Sequence, residues 1–187
     1  MDLVTRAKNI LTSPKTEWPV IAGESTDTGA LYAGYVAPLA AIPPVAAILG
    51  NLLFNGALTF GQSVIVGIVS FVVGLIGVYI LGLIASKIAP PFGGKDDFAQ
   101  GLKLVAYAYT AAWVAGVFSL IPILALLSLI GAIYSLYLLY AGAPVMMSVP
   151  EGRSAGYTAV VILIAIGVYI VIGFIVGVIV GAISLTH

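Results

Sequence analysis

Asp96 and Asp97 adjoin in GGKDDFAQG, residues 93–101, the one place in the chain where two carboxylates stand side by side. Paired carboxylates can act as general acid and base, or as half of an oxygen-ligand metal cage. Neither chemistry can be completed from this sequence. An oxygen cage needs more ligands than lie nearby, there is no cysteine, and the single histidine is residue 187. The pair therefore reads as a solvated loop turned by Pro90, Pro91, Gly93 and Gly94, with no metal and no cofactor expected.

The other reactive-looking groups are hydroxyls and aromatic rings. LYAGYVAP, residues 31–38, supplies Tyr32, Tyr35 and Pro38, and AYAYTAAWVAG, residues 106–116, supplies Tyr107, Tyr109, Thr110 and Trp113. A hydroxyl nucleophile needs a base beside it. Residues 28–86, 104–150 and 154–187 contain no Asp, Glu, Lys or Arg. These hydroxyls consequently have no base at their own depth, so neither an enzyme nor a proton-coupled transporter is expected. What they can still do is bind a small neutral or lipidic molecule.

Those charge-free runs also define the elements that carry the residues. The chain is 61% hydrophobic and 7% charged, against about 25% charged in a soluble domain. A membrane crossing takes about 20 apolar residues, so the runs hold two, two and one crossings. The predicted fold is an all-α integral membrane protein. A lead-in covers 1–28, and a five-helix transmembrane domain covers 29–187, with spans near 31–52, 63–86, 102–119, 122–142 and 157–184. The last run is too long for one upright helix and predicts tilt or an overhanging end. All seven basic residues fall on one side of this arrangement. The positive-inside rule then places the N-terminus in the cytoplasm and the C-terminus outside, in a multi-pass protein of the cell inner membrane. A formal net charge of zero gives no reason to expect nucleic acid.

Prolines disturb the first span. Pro38 removes the partner of the Gly34 carbonyl, and Pro43 and Pro44 free those of Leu39 and Ala40, so a kink or break is predicted near Ile42–Pro44. Lipid offers no replacement donor. The stretch should face protein or a wet cavity, with Tyr107, Tyr109, Thr110 and Trp113 as candidate donors. Two readings stay open: a kink that serves packing, or a broken helix that forms a ligand site.

Ahead of the spans, MDLVTRAKNILT sets Leu3, Ile10 and Leu11 on one helical face and Arg6 and Lys8 on the other, and the helix stops before Pro14. This amphipathic segment is predicted to lie along the inner membrane interface, with Trp18 at the headgroup boundary. The alternative is packing on the protein's own loops. Gly173, Gly177 and Gly181, at successive i+4 steps, form a small-residue track for a helix contact, within the chain or with a second copy. Ser70 and Gly74 make a shorter track.

Five spans, the amphipathic start, LYAGYVAP and AYAYTAAWVAG together resemble the Yip-domain family of Ypt/Rab-interacting membrane proteins, in its compact bacterial form. Leu31, Tyr32, Gly34, Tyr35 and Pro38 are similar to the motif that opens the family's first span, without its adjacent Asp. Tyr107, Tyr109 and Trp113 are similar to the motif of the third, with Ala111 and Ala112 where a proline is expected. The resemblance implies a non-catalytic membrane organiser or adaptor whose partners are the lipid bilayer and a membrane or cytoplasmic protein. The alternative is a channel, transporter or binding protein for a small neutral or lipidic molecule, built on the proline-broken span.

Overall fold

The computed structural model describes residues 2–25, 27–56 and 58–184, and every regular element among them is helical. Asp2 caps α1 (Leu3–Thr12) by accepting the Thr5 N–H at 3.0 Å. Ser13 ends it, and Pro14 opens α2 (Pro14–Gly23), where a missing N–H costs nothing. Five helices long and apolar enough to cross a membrane follow: Thr28–Phe54, Phe60–Ile88, Phe98–Leu120, Pro122–Met147 and one that begins at Glu151. The last runs as a single helix, Glu151–Ser184.

The third span is the axis of the bundle. In the most apolar window of each helix, 72% of the third is buried inside the protein, against 28% for the first and 6% for the fifth. Mean hydropathy runs the other way, 1.3 for the third and 3.1 for the fifth. That inversion is physical: lipid demands apolar surface, while the protected interior tolerates small and polar residues that bond between helices.

Close packing on this axis depends on absent side chains. A Cβ on Gly101 would lie 2.6 Å from the Gly82 carbonyl oxygen, and one on Gly82 would lie 2.8 Å from the Leu102 Cα, so the second and third spans touch backbone to backbone. Gly173, Gly177 and Gly181 differ from this. A Cβ on any of them meets nothing within 4 Å, so the predicted track forms no helix contact among the described residues. The fifth span faces outward there.

The proline-rich first span stays helical by changing its hydrogen-bond register. Tyr32–Val36 form a π turn in which the Ala37 N–H reaches back to the Tyr32 carbonyl, widening the helix just ahead of Pro38. The break falls at Ala41 (ψ −21°), one residue before the predicted stretch, and Pro43 and Pro44 stand in the first turn of the segment Ile42–Gly50. At the far end of the first hairpin Asn51 ties the turn: its Nδ2 donates to the Leu58 carbonyl and to Ser63 Oγ, and its Oδ1 accepts the Leu58 N–H.

Candidate functional site

Tyr109 interrupts the third span. Its ψ of −8° separates the helical segments Phe98–Ala108 and Thr110–Ala115, and two side chains repair the interruption. Ser135 on the fourth span accepts the Ala112 N–H at 3.0 Å, and Thr110 Oγ1 donates to the Tyr107 carbonyl at 2.7 Å. Since that bond uses the only Thr110 hydroxyl proton, Tyr35 OH is the donor in its 2.7 Å contact with Thr110. The direction is opposite to the one predicted. Among the described residues no third-span hydroxyl serves a carbonyl freed by proline; a first-span tyrosine reaches into the break of the third.

This thread continues outward. The rings of Tyr35 and Tyr107 lie 4.5 Å apart, and the Arg6 guanidinium carbon sits 5.8 Å from the Tyr107 ring centroid. Arg6 is 4% exposed, bonded to Glu17 at 2.5 Å and also to Glu24. Burial works against its charge, but the bonds and charges of the two glutamates hold the guanidinium pKa above its ordinary value. Lys103, equally buried, donates to the carbonyls of Ile21 and Glu24, each at 2.8 Å, and so caps the C-terminal end of α2. Tyr134 OH holds α1 by donating to the Leu11 carbonyl at 2.8 Å.

The predicted lipid contact of this lead-in is therefore corrected at three positions. Arg6, Ile10 and Trp18 lie inside the protein, with Ile10 and Trp18 sealed completely. Trp18 sits against Gly142, where a Cβ would come within 2.6 Å of its ring. The reason is the placement of Glu17 and Glu24 across the Ser13 turn, which makes the inner face of α1 the favourable place for a cation. Leu3 and Leu11 are half-buried, and Lys8 is exposed.

Near mid-span, below this thread, lies a cavity of about 840 Å³ lined by all five spans. That volume falls within the roughly 300–1,000 Å³ of small-molecule pockets. The first span contributes Pro43 and Pro44, the second Ser70, Phe71 and Gly74, the third Tyr109, Trp113 and Ser119, the fourth Ser135 and the fifth Tyr169. Its other lining residues are apolar. Tyr109 stands between Trp113 and Tyr169, with ring centroids 5.9 Å away on either side. None of the lining side chains is ionisable at neutral pH.

Of the residues singled out in the sequence, Pro43, Pro44, Tyr109 and Trp113 thus meet at one site. Tyr35 and Thr110 belong to the polar thread, and Tyr32 OH donates to the Leu75 carbonyl at 2.9 Å. Pro38 does not face the interior; it is exposed on the outside of the bundle, where the π turn accommodates it. Ser135 and Tyr169 went unrecognised as site residues. Tyr169, a phenol deep within an aliphatic span, carried a signal; Ser135 did not stand out.

Along this same stretch of chain, the family model of the Yip1 domain matches residues 8–175. The chain belongs to the Yip1 domain family. It is a multi-pass membrane protein of the Yip type, and the match takes in α2, four complete spans and most of the fifth, so the cavity lies wholly within the Yip1 domain. Neither a curated protein nor a solved structure matches the chain.

Proposed function

We propose that this Yip-domain protein is a non-catalytic membrane component that binds a neutral lipidic molecule within its five-span bundle, in the cell inner membrane with its N-terminus cytoplasmic. The observation that carries the reading is the cavity at the break in the third span, bounded by Pro43, Pro44, Tyr109 and Trp113. The cavity is open along part of its wall, where Ile166, Tyr169 and Ile170 are exposed, so a lipid can enter it from the bilayer, and its size accommodates one. An apolar lining away from every charge suits a hydrocarbon chain and excludes an ion.

Gly74 provides the test. A Cβ there meets nothing within 4 Å, so the side chain of Gly74→Leu starts in open space on the cavity wall and takes up volume there. Native mass spectrometry of the protein released from nanodiscs is expected to show a tightly held lipid on the wild type that Gly74→Leu loses. An empty wild type, or a variant that keeps the lipid, overturns the reading.

A second reading, a membrane organiser or adaptor that docks a protein partner on its charged end, has its own support. Members of the family act with membranes and Rab GTPases. At that end Asp2, Asp27 and Asp97 cap helices, Asp96 pairs with Lys87, and Glu17 and Glu24 hold Arg6. Lys8, Lys15, Lys95 and Arg153 have no ion pair among the described residues and remain exposed. Crosslinking in native membranes is expected to capture an acidic partner that charge reversal at Lys95 and Arg153 releases; capture unaffected by the reversal removes this reading.

A further inference from the structure

Trp113 is 8% exposed, and no hydrogen bond of its indole N–H is found among the described residues. Trp18 also lacks one and its nitrogen is sealed, whereas Trp113 is a lining residue of the mid-bundle cavity. Indole nitrogen donates and never accepts. A donor held in an apolar cavity without an acceptor carries a desolvation cost that an occupant can relieve.

The surrounding wall is biased the same way. Ser135 Oγ already accepts the Ala112 N–H, which leaves its own proton available to donate. With no ionisable side chain on the wall at neutral pH, a charged headgroup would be unpaired there, so the acceptor must be neutral. The Tyr109 ring, its centroid 5.9 Å from that of Trp113, adds flat apolar surface next to the indole, and the rest of the cavity accommodates a tail.

Resting on the reading of the cavity as a lipid site, we propose that its ligand is an uncharged lipid bearing a carbonyl group, and that Trp113 selects it by donating the indole N–H to the carbonyl oxygen. Both a prenylquinone and a diacylglycerol ester carry this chemistry. The arms of the experiment are a short-tailed prenylquinone, dioleoylglycerol and the carbonyl-free hydrocarbon squalene, each titrated into nanodiscs of the wild type, Trp113→Phe and Gly74→Leu.

The wild type is expected to prefer one carbonyl probe over squalene. Trp113→Phe is expected to weaken that probe about three- to tenfold, the worth of one hydrogen bond, and to leave squalene unchanged. Which probe responds identifies the source of the carbonyl. Infrared spectra of the bound, ¹³C-carbonyl-labelled probe supply a readout independent of how the variant folds: the wild-type complex is expected to show a carbonyl stretch lowered by hydrogen bonding. Unchanged carbonyl affinity in a folded Trp113→Phe, or an unshifted stretch in the wild type, overturns the proposal. If Gly74→Leu still expels every probe in that case, the lipid site stands and only its selectivity falls; if no probe binds the wild type, both fall.

Discussion

Arg6 shows how one side chain can reverse the reading of a helix. By periodicity it belongs on the wet face of α1 with Lys8, yet it is buried between Glu17 and Glu24 with its guanidinium near the Tyr107 ring. Removing one member of such a set leaves a charge buried alone. Arg6→Met is expected to destabilise the protein by about 3 kcal/mol, because Glu17, 6% exposed, is stranded. Arg6→Met with Glu17→Leu should recover most of that loss, since Glu24 reaches water and needs no partner. Thermal unfolding in detergent checks both, and a double variant no better than the single one contradicts the account. Asp96 makes a different prediction. Hydrogen bonds from Lys87 and then Ser86 lower its pKa below 3.8, so it stabilises the fold above that value and loses this contribution as pH falls through its lowered pKa. Asp96→Asn should therefore flatten the acid limb of the pH–stability curve and leave its neutral limb parallel to the wild type. Cavity residues of rare type, the prolines, Tyr109 and Trp113, were legible in the sequence because each breaks the pattern around it. Arg6 was not, because its partners lie across a turn that periodicity does not see.

Among whole elements, the sequence identifies five spans from their freedom from charge, whereas their packing depends on contacts that composition does not encode. Two kinds of glycine look alike in the sequence. Gly101 lets the second and third spans touch, while Gly177 lies on an open face of the fifth. Gly101→Ala, whose Cβ would lie 2.6 Å from the Gly82 carbonyl, should cost about 1–3 kcal/mol through forced backbone movement. Gly177→Ala should stay within about 0.5 kcal/mol, or stabilise the helix slightly, since nothing is displaced. Unfolding midpoints in the same detergent decide the comparison, and a large loss at Gly177 would mean that its track is a packed seam after all. The prolines of the first span follow a similar logic. The sequence locates the disturbance at Ile42–Pro44, one residue past the observed break at Ala41, but the π turn that absorbs Pro38 depends on a change of register with no signature in residue type.

At the scale of the molecule, charge and burial separate along different directions. Along the membrane normal, the charged residues that the structure describes gather at one end, where Lys103 caps α2, Arg6 pairs with the glutamates and Asp96 holds Lys87. Across the bundle, burial falls from the third span to the fifth while hydropathy rises. Only the first separation can be read from the sequence, because charges are visible in it and neighbours are not. It also yields a prediction of orientation. Lysines and arginines resist translocation, so the end carrying Lys95 and Arg153 should face the cytoplasm. The absence of cysteine makes this testable without background, since each introduced thiol reports alone. Lys95→Cys and Arg153→Cys should resist a membrane-impermeant maleimide in intact cells and react after permeabilisation. Leu58→Cys, in the turn between the first and second spans, should react in intact cells. Labelling of Lys95→Cys and Arg153→Cys from opposite sides would mean that the third and fourth spans do not cross as a pair. It would also remove the common charged end on which the α1–α2 cap, the polar thread and the depth of the cavity all depend.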